Sequence, residues 1–92
     1  MSDGEVSQSN CKIVNKHGLH TRSAAAIVEV ANRFQCSITI GNEKGESDAR
    51  DMIRLMLLEA SKGTEVSVSA KGENASNAVL AMKELIDAGF YE

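Results

Sequence analysis

Proline is absent from all 92 residues, so no proline kink or cis-proline turn shapes the chain. Tryptophan is absent, and the only aromatic residues are Phe34, Phe90 and Tyr91. The core must therefore be aliphatic, and the chain has no aromatic platform for stacking bases. There is no basic excess: 10 Lys and Arg against 13 Asp and Glu leave a formal charge of −3. That argues against a nucleic-acid-binding surface, which needs a basic face. No apolar run approaches the length of a membrane span, and the first ten residues carry no hydrophobic signal segment. A cytoplasmic chain with no membrane insertion is expected. Cysteine is scarce, with only Cys11 and Cys36, and neither lies in a CxxC pair. Their spacing from His17 and His20 fits no common zinc pattern. Each cysteine sits in an apolar, strand-like run and reads as a small hydrophobe, so no metal or organic cofactor is expected.

What remains is enough for one small domain. Residues 1–10 are Ser-, Asn-, Gln- and Glu-rich, with Val6 alone apolar after the first residue, and read as a disordered tail; the domain is expected over 11–92. A short strand is expected from Cys11 to Asn15, followed by a loop to Gly18. Thr21 to Phe34 carries Ala24, Ile27, Val28, Ala31 and Phe34 at helical spacing. Cys36 to Ile40 alternates as a strand, Gly41 to Gly45 reads as a hairpin loop, and a short strand follows from Glu46 to Ala49. Asp51 precedes the apolar run Met52 to Leu58 as a helix N-cap. Thr64 to Ala70 alternates again, and a last helix from about Asn74 buries Ala75, Ala78, Val79, Met82, Leu85 and Ile86. The order β-α-β-β-α-β-α suits an α+β domain with helices on one face of an antiparallel sheet.

The chemistry concentrates in His17-Gly18-Leu19-His20-Thr21-Arg22-Ser23-Ala24. A glycine turn delivers His20 to a helix start, where unpaired backbone N–H groups and a partial positive charge attract anions. That field disfavours imidazolium and favours the neutral, nucleophilic ring. Arg22, two residues on, has the fixed fork of donors that grips a phosphoryl group. A histidine and an arginine so placed suit the acceptance and release of phosphate.

Gly18-Leu19-His20-Thr21-Arg22, with Ala24 and Ala25, resembles the active-site signature of the HPr family, phosphocarriers of the phosphoenolpyruvate-dependent phosphotransferase system. The resemblance runs from about Cys11 to the end, through Ala60-Ser61-Lys62-Gly63 and the Lys71-Gly72-Glu73 turn. Leu55 to Gly63 and the ending Ala88-Gly89-Phe90 are most similar to the nitrogen-related branch, NPr. It implies an open-faced β-sandwich: a four-stranded antiparallel sheet covered on one face by three helices. It also implies transfer from Enzyme I to Nδ1 of His20 and onward to an EIIA-type protein, by a stoichiometric carrier rather than an enzyme; nothing in the sequence points to an oligomer, so a monomer is expected. Arg22 and the helix-start groups of Thr21, Ser23 and Ala24 would balance the phosphoryl charge. His17 matches no invariant family position and is expected to be exposed.

Three positions depart from the family pattern or extend it. Ser23 stands where the family usually has proline; serine either loosens the loop, at a cost of about 1 kcal/mol or less, or adds a contact to phosphate. Asp51 falls where many relatives carry a regulatory serine, which excludes phosphorylation there; its fixed charge either partly imitates the phosphorylated state or, the favoured reading, simply caps the helix. Met52, Ile53 and Met56 correspond to an apolar docking patch for partners. A regulator that docks without transferring phosphate is the alternative reading; retention of both His20 and Arg22 speaks against it.

Overall fold

The computed structural model describes residues 4–92. Four strands form one antiparallel sheet: β1 (Val6–Lys12), β2 (Ser37–Asn42), β3 (Gly45–Asp48) and β4 (Glu65–Lys71), in the spatial order β1-β4-β2-β3. Three helices, α1 (Thr21–Ala31), α2 (Met52–Leu57) and α3 (Ala75–Asp87), follow in the expected order. A single turn, Gly89–Tyr91, closes the chain. None of the described helices is long and apolar enough to cross a membrane.

Strand alternation sets the layers. Ile38 and Ile40 of β2 and Val66, Val68 and Ala70 of β4 are buried, whereas their neighbours Thr39, Ser67 and Ser69 are half-buried and polar. The buried side meets Ala24, Ile27 and Ala31 of α1, Leu55 of α2, and Ala75, Ala78, Met82 and Ile86 of α3. Small alanines at the contact let helices approach the sheet closely, and the aliphatic side chains fill the space between. Cys11 and Cys36 are both buried and unbonded within this core.

Most element ends shift by one or two residues from the sequence expectation, and the first strand, expected over Cys11 to Asn15, ends at Lys12; three further differences have a clear physical cause. The segment 6–10 is strand rather than disordered tail; residues 1–3 lie outside the described residues. Its register with β4 runs from Val6↔Lys71 to Lys12↔Glu65. The strand is held by its backbone ladder, with Cys11 as its one fully buried side chain, so hydrophobic pattern does not reveal it. Glu5 strengthens the attachment: Asn74, the N-cap of α3, makes no side-chain cap, and Glu5 accepts instead from the Ser76 hydroxyl and N–H. The hydrogen bond from the Ser76 hydroxyl is the main reason the Glu5 carboxyl sits below its ordinary value. Next, α1 ends at Ala31, not Phe34. Arg50 Nη2 donates to the carbonyls of Ala31, Phe34 and Cys36 at 2.8, 2.7 and 3.1 Å, ending the helix from a distant loop. Last, the hairpin loop is only Glu43-Lys44, because Asn42 pairs with Gly45.

Candidate functional site

The loop between β1 and α1 carries the site, and the segment after α2 supports it. Ile13 N–H donates to Thr64 O at 2.9 Å, Gly63 N–H to Ile13 O at 2.7 Å and Leu19 N–H to Ala60 O at 2.9 Å. Gly18 turns the chain with φ +62°, its Cα face pressed against the Ala60-Ser61 backbone. Leu19 is buried beside it as an apolar anchor. The family-like Ala60-Ser61-Lys62-Gly63 run is thus the platform on which the histidine loop rests.

His20 is the N-cap of α1, in extended conformation, with Nδ1 accepting from Arg22 N–H at 3.4 Å. Ser23 reciprocates as the N3 member of a capping box: its Oγ accepts from His20 N–H at 2.9 Å and donates to Gly18 O at 2.7 Å. The Ser23 side chain is fully buried. Its hydroxyl is therefore committed to holding the loop in the free protein. The hydroxyl supplies by hydrogen bonding the rigidity that proline supplies by its ring. Ala24 offers no donor, because its N–H is bonded to His20 O at 2.8 Å. Of the expected helix-start groups, the N–H groups of Arg22 and Ser23 face the His20 ring, and Thr21 is exposed next to it.

Glu92 is the residue sequence reasoning missed. Its Oε2 lies 2.6 Å from His20 Nε2, and its Oε1 accepts from Asn15 Nδ2 at 3.1 Å. Asn15 is buried, and the same Nδ2 donates to Gly18 O at 2.9 Å. Burial acts to raise the Glu92 carboxyl, but hydrogen bonds from Asn15 and His20 and the charges of His20 and Arg22 together hold it below the ordinary carboxylate value. A carboxylate that stays ionised requires a proton on Nε2, and the Arg22 N–H requires a lone pair on Nδ1. The two partners select one tautomer, with Nδ1 free to act as nucleophile. No sequence signal marks Glu92, which lies 72 residues from His20.

Arg22 is exposed at the rim, close enough for its charge to reach Glu92. His17 is exposed and meets the His20 ring edge-on, with centroids 5.7 Å apart. Lys16, His17, Arg22, Asp87 and Glu92 border a shallow cavity of about 500 Å³ beside the ring. A larger concavity of about 690 Å³ lies between Asn10, Lys44, Glu59 and Ser67, none of which contacts His20. Thr21 Oγ1 donates to Met56 Sδ at 3.8 Å, which brings α2 beside the site. On α2, Ile53 is 66% exposed and Leu57 68%, while Met52 and Met56 are half-buried against the core. Leu57, four residues after Ile53 and equally exposed, was not among the sequence candidates, whereas Met52 and Met56 present only part of their side chains. Asp51 caps α2, its carboxylate accepting from Arg54 N–H at 3.1 Å.

Residues 7–88 match the family model described as PTS HPr component phosphorylation site. The chain is 42% identical over 81 residues to phosphocarrier protein HPr of Pseudomonas putida, covering 87% of this chain and 90% of the relative. It is 33% identical over 82 residues to phosphocarrier protein NPr of Escherichia coli K12, covering 88% and 91%. Among solved structures, HPr-C-His from Thermoanaerobacter tengcongensis superposes with a TM-score of 0.88 at 32% identity, covering 94% of this chain and 97% of that one.

Proposed function

Because this chain belongs to the HPr family of phosphotransferase-system phosphocarriers, we propose that His20 is the residue that takes up and hands on the phosphoryl group. The observation that carries this reading is the Nδ1 acceptor at the start of α1, met by Arg22 N–H, with Glu92 on the opposite ring nitrogen. The Nδ1 lone pair forms the N–P bond as the bond from phosphorus to the donor breaks, the donor atom keeping that electron pair. The Arg22 N–H, which meets Nδ1 in the free protein, then faces phosphoryl oxygen, and the Arg22 guanidinium neutralises charge from the rim. Thr21 sits on the same rim. The reverse step returns the pair to Nδ1.

The donor in this reading is Enzyme I and the acceptor an EIIA-type protein, with the chain acting in the cytoplasm as a monomeric, stoichiometric intermediate. The test is incubation with Enzyme I and phosphoenolpyruvate, followed by intact-mass and peptide analysis. One acid-labile phosphoryl group on the peptide containing His20 is expected. No uptake, with the same Enzyme I active on another carrier, would favour the docking-only regulator.

The exposed side of α2 is proposed as the partner surface. Ile53 and Leu57 hold little of the core together, so their replacement separates binding from folding. The double variant Ile53→Ser/Leu57→Ser is expected to raise the KM of Enzyme I for this carrier roughly tenfold, with unchanged thermal stability. An unchanged KM would place docking elsewhere. Met52→Ser and Met56→Ser, being half-buried, are expected to lower stability as well.

A further inference from the structure

We propose that Asn15 is a positioning residue for phosphoryl transfer, acting through Glu92 to keep the proton of His20 on Nε2 throughout the carrier cycle. The inference rests on His20 as the phosphoacceptor and adds to that reading the device that prepares its ring.

Gly89, Phe90 and Tyr91 lie consecutively in the left-handed region, with φ of +64°, +58° and +59°. Two of the three carry side chains, for which that conformation is unfavourable. Such a run persists only where its surroundings fix it. Here Phe90 is buried, and Gly89 packs against Val14 and Asn15. What the strained turn achieves is delivery of the Glu92 carboxylate to His20.

Asn15 decides where that carboxylate points. Its Nδ2 bridges Gly18 O and Glu92 Oε1, tying the histidine loop and the final turn to one amide. The opposite amide orientation would set Oδ1 against two acceptors, so only this one satisfies them. Its Oδ1 is buried with no partner. Its placement makes sense if its donors are needed on those two oxygens.

The consequence follows from proton bookkeeping. Before transfer, Nε2 carries the proton and Nδ1 the lone pair. When Nδ1 bonds to phosphorus the ring becomes imidazolium, with no proton lost, and the Glu92 carboxylate lies against the new charge. When the phosphoryl group leaves, Nδ1 recovers its electron pair and Nε2 still holds its proton. With Glu92 misdirected, the ring can place its proton on Nδ1, and that form cannot attack.

The experiment reads the tautomer directly, by ¹H–¹⁵N correlation of the histidine rings at a pH where both are neutral, and the transfer rate beside it. The wild-type protein is expected to show His20 as the Nε2–H form. Asn15→Leu and Glu92→Gln are expected to show a tautomer mixture. They should also lower the kcat of Enzyme I acting on the carrier by about tenfold and leave KM within about twofold, since α2 is untouched. Asn15→Ser, smaller and still polar, carries the test if Asn15→Leu does not fold. An unchanged tautomer and rate in the folded variants overturns the inference. A shifted tautomer in a carrier whose wild-type form takes no phosphate at His20 overturns the phosphoacceptor assignment instead.

Discussion

His20→Asn is expected to reduce phosphoryl uptake to background while leaving the protein folded. Asparagine is among the strongest N-cap residues, so its carboxamide can accept from the first turn of α1 much as Nδ1 does from Arg22 N–H. The backbone half of the capping box, His20 N–H to Ser23 Oγ, does not depend on the side chain at all. What disappears is the imidazole, and no neighbouring group replaces its nucleophilic lone pair. His20→Ala should be equally inactive but less stable by about 1 kcal/mol, the usual cost of an empty N-cap. The pair therefore separates two contributions of one residue, read by intact mass after incubation with Enzyme I and by thermal denaturation. Residual uptake by His20→Asn would point to His17, the only other imidazole in the chain and in ring contact with His20.

How much of this was legible beforehand depends on the length scale of the cause. Helical and alternating apolar periods located α2, α3 and the middle strands, because those elements bury one face and the pattern records it. The glycine, histidine and arginine were readable because a helix start and its anion chemistry are local. The start of β1 was not, because Val6 to Asn10 are held by a ladder to β4 and a cap from Glu5, which leave no local apolar pattern. The end of α1 was misplaced for a similar reason: Arg50 acts on it from 14 to 19 residues away. Glu92 and Asn15 were invisible because what matters is their meeting across 77 residues. Ser23 shows the same lesson at close range. Its departure from the family proline left two readings open, a looser loop or an added contact to phosphate, and neither foresaw a buried hydroxyl bridging Gly18 and His20.

Gly18→Ala is expected to be the most damaging single-methyl change in the molecule. An alanine there pays for the left-handed conformation, about 1–2 kcal/mol, and its Cβ would lie 2.3 Å from Ala60 O and 2.9 Å from Ser61 Cα. Both neighbours are backbone, so no side-chain rotation relieves the clash and the loop itself must move away. Moving it loosens Leu19 N–H from Ala60 O, and Gly18 O from both Ser23 and Asn15. A destabilisation of about 3 kcal/mol is expected, or roughly 12–24 °C in Tm for a domain of this size. Gly63→Ala is the control: that glycine also has positive φ, +91°, but its Cβ would meet nothing within 4 Å. It should therefore show only the conformational cost. Similar Tm losses in the two variants would mean that the Ala60-Ser61 platform yields easily. A much larger loss at Gly18, with phosphoryl uptake slowed in the fraction that remains folded, would show that the platform fixes the approach of His20 to α1.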